Sequence, residues 1–332
     1  MDNKNTFLKN KKEDHTMMPV FIGGCGRSGT TLMGAILGTH TECICTPESQ
    51  FKVDMYHFVK QSRNPDFMDV LNRITKLRRF RFWGFDIDQK SFQSENISTY
   101  SELLLWIVKR YAEKAGKRNP RIWVDHTPAN IRHSKIIFEL FPDARLIHLV
   151  RDGRAVAASM IPLDWGPNTI DNAAKFWKKK ILLGLEAESK WQEKVIRVRY
   201  EDFIHDTEKI LKYICSFLNI DFQPAMIKGT DFRVPIYSSQ QHALIGKEPD
   251  IRRVNAWERT LKPRQIEIFE SISGEILKTL GYSLKYGDNA QKMTYFEKIQ
   301  SVLYEIYRKN IINKFAHWIR IKKGLGRQKI YL

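Results

Sequence analysis

No stretch of the 332 residues is apolar for the roughly 18 or more positions that a membrane-crossing helix needs. The N-terminal segment, MDNKNTFLKNKKEDHTMM, contains no apolar signal region either, which leads to the expectation of a soluble cytoplasmic protein. Cysteine is scarce. Cys25, Cys43, Cys45 and Cys215 fall at no zinc spacing and are too few for a disulfide framework, so no metal is expected. Acidic residues are also short, at 37 against 55 Lys and Arg, and the formal net charge is +18. A surplus of that size favours an anionic partner: a nucleotide, nucleic acid, an acidic polymer or a membrane surface. It is unevenly spread, since residues 291–332 hold ten basic residues and two acidic ones. No internal repeat is visible.

One further absence narrows the function. The run Val20-Phe21-Ile22 reads as a buried strand that enters a turn containing Gly23, Gly24, Gly26 and Gly29. A helix-like stretch from Thr31 through Leu37 follows. A strand, a glycine-rich turn and a helix in that order make an anion site, because backbone N–H groups curl inward at the positive end of the helix. Ser28, Thr30 and Thr31 add hydroxyl donors, and Arg27 can fork onto a phosphate. The spacing Gly24-x-x-x-x-Gly29-Thr30-Thr31 is that of a nucleoside-triphosphate loop, yet Thr30 stands where the lysine should be. That lysine reaches the terminal phosphates, so its absence argues against ATP or GTP hydrolysis and against a nucleotide kinase.

Hydrophobic residues make up 42% of the chain, enough for one large domain with embellishments or two small ones. Residues 42–46 suggest a short second strand, ended by Pro47 with Glu48 at its carboxyl end. Residues 49–118 are mostly helical in pattern, and the aromatic-basic patch 79–88 reads as a packed loop rather than a nucleic-acid surface. Arg121–Val124 reads as a strand. Asp125-His126-Thr127-Pro128 is then expected to cap a helix running to about Phe141. Residues 144–150 and 195–200 read as further strands, with helices after each. Alternation of this kind predicts an α/β protein with a parallel sheet covered on both faces.

A second candidate cradle follows the 144–150 strand, in Arg151-Asp152-Gly153-Arg154-Ala155-Val156-Ala157-Ala158-Ser159. Ligands of open parallel sheets collect at the carboxyl ends of strands, where Arg151 and Ser159 could hold a separate phosphate. With both segments in view, the chain resembles the sulfotransferases that use 3′-phosphoadenosine 5′-phosphosulfate (PAPS) and release 3′-phosphoadenosine 5′-phosphate (PAP). GRSGTTLM is similar to their 5′-phosphosulfate loop, FPDARLIHLVRDGRAVAASM to their 3′-phosphate motif, and VRYEDF to a third recurring stretch. The later FLNI and LGY segments also fit, and the likeness covers roughly Met18 to Leu284. It is strongest to the branch that holds protein-tyrosine sulfotransferases and bacterial relatives.

The resemblance implies a P-loop NTPase-like three-layer fold and a sulfotransferase domain over 18–285, while composition and pattern outside it predict a polar, disordered arm over 1–17 and a basic helical extension over 286–332. It implies that Arg27, Ser28, Gly29, Thr30 and Thr31 hold the 5′-phosphosulfate, Arg151 and Ser159 the 3′-phosphate, and that Tyr200 lies near the nucleotide. Glu48 would be the general base that takes a proton from an acceptor hydroxyl on a glycan, lipid, small molecule or peptide tyrosine. Two departures stand out. His126 replaces a lysine common before Thr-Pro, and competes as base or sulfuryl stabiliser. Lys247, Arg252, Arg253 and Trp257 match a late nucleotide-contacting stretch, but Ala256 replaces its basic residue. The different-class reading is a non-catalytic module that senses 3′,5′-bisphosphonucleotides, which would need no base at Glu48. The tail 294–323 alternates apolar and basic residues at helical spacing. It is expected to pack on the core with its charges solvated, against the competing reading of a peripheral membrane-surface helix.

Overall fold

β1 (Met18–Gly24) lies at the centre of the sheet, between β3 (Ile122–Asp125) and β4 (Arg145–Val150). β2 (Cys43–Thr46) flanks β3, and β5 (Val195–Arg199) flanks β4, so the order is β2-β3-β1-β4-β5 with every pair parallel. The computed structural model describes residues 17–228 and 251–322. Alternation along β1 explains the layering. Phe21 points to one face, where it meets Trp123 and Phe141, while Val20 and Ile22 join Val124, Ile147 and Leu149 on the other. A central strand apolar on both sides demands cover on both sides. The helices Phe51–Gln61 and Tyr100–Lys114 supply it on the Phe21 side; Thr30–Gly38 and Thr207–Leu218 supply it on the other. A third apolar cluster joins the helices Gly153–Met160, Ile170–Lys190 and Pro263–Thr279. This is the P-loop NTPase-like three-layer arrangement.

The aromatic-basic patch packs as expected. Phe80, Trp83 and Phe85 are buried, and their rings contact one another. The four cysteines are all buried free thiols. Two expectations are corrected. Asp125 does not cap a long helix: it ends β3, and a 3-10 turn over Pro128–His133 precedes the short helix Ser134–Leu140. Asp125 instead spends its carboxylate on a buried ion pair described below. The second correction concerns the tail. Its two helices, Tyr295–Tyr307 and Asn313–Lys322, are joined by a π turn over Arg308–Ile312. They lie against the protein through polar side chains, with their apolar ones facing out, the reverse of the expected packing. The expected arm over 1–17 falls, but for Met17, outside the described residues, as does Lys247.

Candidate active site

In a parallel sheet the carboxyl ends of all strands share one edge, and the candidate residues follow those ends one by one. Cys25–Thr31 follow β1, Glu48 follows β2, His126 follows β3, Arg151 follows β4 and Tyr200 follows β5. The topology therefore collects on one edge residues that the sequence spreads from Cys25 to Tyr200.

The loop after β1 curls through two left-handed residues, Arg27 at φ 73° and Gly29 at φ 97°. The sequence assigned the curl to glycines alone; the arginine at such an angle holds backbone strain of the kind found at functional sites. Gly29 is required for a further reason. A β-carbon there would lie 2.7 Å from Cδ2 of Tyr200. Gly29→Ala is thus expected to destabilise the protein by more than about 1 kcal/mol in urea unfolding. Gly26→Ala, where the nearest atom would be 3.8 Å away, should stay within about 0.5 kcal/mol.

Beyond Gly29 the chain enters the helix Thr30–Gly38, which no side chain caps and whose first turn carries no acid. Its leading N–H groups lack intrahelical partners by construction, and an anion is their natural complement. Thr30 and Thr31 sit in that first turn and are buried. The Ser28 hydroxyl is fully buried and meets no hydrogen-bond partner among the described residues. Such a group costs about 1–3 kcal/mol unless a ligand oxygen accepts from it. Each of these features fits a bound phosphate or sulfate.

The two candidate cradles meet. Arg27 Nε donates to Ser159 Oγ at 3.1 Å, and Arg151 Nη1 donates to the Arg27 carbonyl at 3.0 Å. The Arg151 guanidinium also lies over the Tyr200 ring, 4.4 Å from its centroid. Ser159 is carried on the helix Gly153–Met160, capped by Asp152. Trp177 Nε1 holds the Arg151 carbonyl at 3.1 Å. Half-buried Arg27, Ser159 and Arg151 thus form one continuous wall with buried Tyr200.

Glu48 is half-exposed just beyond β2. Its carboxylate is close enough to His126 to favour the protonated ring, but burial of His126 acts more strongly and holds its pKa below the ordinary value. His126 packs beside the backbone of Gly34, in the helix that follows the loop. The imidazole is therefore neutral near pH 7.

Sequence reasoning missed what fixes these two residues. Lys52 and Asp125 are fully buried and paired at 2.8 Å, with Lys52 Nζ also donating to Asn130 Oδ1 at 2.7 Å. Ser49 Oγ donates to the same carboxylate, as does Thr127 Oγ1 at 2.5 Å, and Ser49 N donates to Thr127 Oγ1 at 3.0 Å. Burial alone would raise the Asp125 pKa; Lys52 and the hydroxyl donors outweigh it and hold it at about 2. Glu48 immediately precedes Ser49, and His126 immediately follows Asp125. The clamp therefore sets both side chains from behind. One signal was available: Lys52 falls among Phe51, Val53, Met55 and Tyr56 on the buried part of its helix, where an unpaired lysine would not be tolerated.

The late nucleotide-contacting stretch fits less well. Trp257 is buried under the Arg154 guanidinium at 4.0 Å, and Arg252 is exposed. Arg154 itself is structural: it grips Asp152 through two bonds and Glu270 through a third, at 2.7–3.0 Å. This joins the second cradle to the helix Pro263–Thr279.

A family model described as the sulfotransferase family matches residues 19–224. Among similar proteins, a putative protein-tyrosine sulfotransferase of Caenorhabditis briggsae is 26% identical over 240 residues, covering 70% of this chain and 72% of that one. Protein-tyrosine sulfotransferase 1 of Danio rerio is 24% identical and covers 81% and 68%. The match to the protein-tyrosine sulfotransferase of Drosophila melanogaster, at 24% identity, takes in 70% of this chain but only 43% of the fly protein. Among solved structures, the sulfotransferase domain of the Synechococcus PCC 7002 olefin synthase superposes with a TM-score of 0.57 at 23% identity, over 82% of this chain and 98% of that one. The sulfotransferase domain of the curacin biosynthetic pathway gives 0.55 at 19%, over 81% and 100%. With its parallel sheet, its loop after β1 and a family match across most of the chain, the protein belongs to the sulfotransferase family of enzymes.

Proposed function

We propose that the protein transfers the sulfuryl group of PAPS to an acceptor hydroxyl, with Glu48 as general base. The observation that carries this reading is the contact between the two cradles, Arg27 to Ser159 and Arg151 to the Arg27 carbonyl. Two anion-binding segments that touch suit a single ligand with phosphates at both ends, and they suit a bisphosphorylated nucleoside better than two separate ions. The family's general use of PAPS and the tyrosine-modifying activity named for the relatives support the same assignment.

PAPS supplies an electron-poor sulfur whose bond to the bridging phosphate oxygen breaks as a new bond to the acceptor oxygen forms. The departing oxygen keeps the electron pair and gains charge. Arg27 and the N–H groups of Gly29, Thr30 and Thr31 face that developing charge, and preorganised donors of this type are usually the largest catalytic term. Ser28 gives the ligand an otherwise unused hydroxyl. Arg151 and Ser159 hold the 3′-phosphate, and Tyr200, backed by Arg151, flanks the nucleotide. Glu48 accepts the acceptor's proton. His126, neutral in its buried position, offers an N–H donor in place of the cation carried by relatives with lysine there.

The test is incubation with PAPS and a panel of tyrosine peptides, glycans, phenols and lipids, read by mass spectrometry for a gain of about 80 daltons. A gain on any hydroxyl supports the proposal. In parallel, calorimetry should detect PAP binding that Arg151→Ala weakens by about 10- to 100-fold, as loss of a charge-assisted phosphate contact requires. Absence of PAP uptake by the wild-type protein would overturn the reading. Uptake with no transfer to any acceptor would leave a nucleotide-sensing module.

A further inference from the structure

We propose that the C-terminal helical segment 295–322 docks the protein on an anionic lipid surface through its outward apolar face. The starting observation is an inversion. Of the fourteen large hydrophobic side chains exposed among the described residues, eleven lie between Tyr295 and Trp318. Tyr295 is 81% exposed, Phe296 67%, Leu303 61% and Phe315 60%. The face turned toward the protein is polar. Glu305 is buried and accepts from the Asn168 N–H at 3.0 Å, Asn313 is buried and donates to Asn168 Oδ1 at 2.8 Å, and Ser301 donates to Asp171 at 2.5 Å. Arg308 reaches the Pro162 and Leu163 carbonyls at 3.2 and 3.3 Å. The π turn over Arg308–Ile312 inserts the extra residue that returns Asn313 to the inner face after Glu305.

The packing also sorts charge. The only two acids of residues 291–332 are Glu297 and Glu305. Glu297 pairs with Arg264 at 2.8 Å, and Glu305 is buried against Asn168 and Thr169. Both carboxylates are thus engaged, Glu305 also by Lys309 at 3.8 Å, which leaves the outer surface to apolar side chains and to cations such as Lys298, Lys314 and Lys322, all exposed. Lys323, Arg327 and Lys329 extend the basic run in sequence. An apolar face with a cationic border matches a bilayer carrying anionic headgroups, where aromatic and aliphatic side chains enter the acyl boundary and lysines stay at the phosphates. A second copy of the chain is the poorer partner, because pairing two such faces sets like charge against like. The protein's own core is excluded, since the inner face is already engaged. No described helix is long and apolar enough to cross a membrane, so the geometry points to a helix lying on the surface. The same segment holds residues 161–171 in place, and Trp165 of that stretch lies beside Gly26 of the phosphate loop. The docking face and the loop thus lie on either side of one short connection.

The experiment is cosedimentation of the full chain with phosphatidylcholine vesicles containing about one-third phosphatidylserine, and with phosphatidylcholine alone. Binding to the anionic vesicles is expected, reduced by high salt. It should fall by at least about tenfold in a variant carrying Phe296→Glu, Leu303→Glu and Phe315→Glu. These positions are exposed, so circular dichroism and PAP binding should match the wild type. Wild-type protein that stays in the supernatant with anionic vesicles overturns the proposal, as does a triple variant that binds equally well. Sedimentation velocity without lipid covers the remaining occupant. Self-association abolished by the triple variant, with no vesicle binding, assigns the face to a second copy and also overturns it.

Discussion

Glu48→Gln is expected to lower the rate of sulfuryl transfer by roughly 10²- to 10⁴-fold while leaving PAP affinity nearly unchanged. The amide keeps the size and hydrogen-bonding reach of the side chain and removes only its capacity to take a proton. Nucleotide affinity should survive because the groups assigned to the nucleotide lie after β1, β4 and β5, whereas Glu48 lies after β2. The split between turnover and binding is the informative readout, since a merely structural glutamate would weaken both or neither. His126 supplies the comparison. It is buried, and burial depresses its pKa, so the wild-type ring is already a neutral acceptor near pH 7. If Glu48→Gln transfers sulfuryl at the wild-type rate and His126→Asn does not, the base is the imidazole and the assignment to Glu48 is wrong.

Much of this architecture is written locally. The loop after β1 can be read because strand, turn and helix are contiguous, and the missing lysine at Thr30 by itself points away from a triphosphate. The second cradle can be read for the same reason. Their contact cannot: Arg27 and Ser159 are 132 residues apart, and only the strand order β3-β1-β4 brings them together. The Lys52–Asp125 pair is hidden similarly: the apolar neighbours of Lys52 call for a buried partner, but its identity, 73 residues away at the end of β3, is set by the packing of the helix on the sheet. Asp125 was misread as a helix cap since a cap and a buried counter-ion use the same residue in the same place. The tail failed differently. Its periodicity reveals two faces but not which one turns inward, and that choice was made by Arg264, Asn168, Thr169 and Asp171, a polar landing surface on distant parts of the chain.

Lys52→Met should cost about 3–5 kcal/mol of folding stability, because it leaves the Asp125 carboxylate buried without its cation. Methionine fills nearly the volume of the lysine stem beside Phe21, so the loss reports charge rather than a cavity. The pH dependence separates this from a packing effect. In the wild type the Asp125 pKa is held at about 2, below its ordinary 3.8, so the pair contributes stability above pH 3.8 that is lost as pH falls through 2. That contribution amounts to roughly 2 kcal/mol. Without Lys52, burial, already the largest single influence on Asp125, outweighs the remaining donors Ser49 and Thr127 and raises the carboxyl above its ordinary value. The folded state then holds the proton more tightly than the unfolded one, and stability falls as pH rises from about 4. Urea titrations between pH 2 and 7 should therefore give slopes of opposite sign for the two proteins across their respective windows. Adding Asp125→Asn to Lys52→Met removes the stranded charge, and it should recover part of the loss and flatten the slope. A Lys52→Met protein whose stability rises with pH as the wild type's does would show that Asp125 keeps its charge without Lys52. Glu48 and His126 would then owe their placement to the hydroxyls of Ser49 and Thr127 rather than to the ion pair.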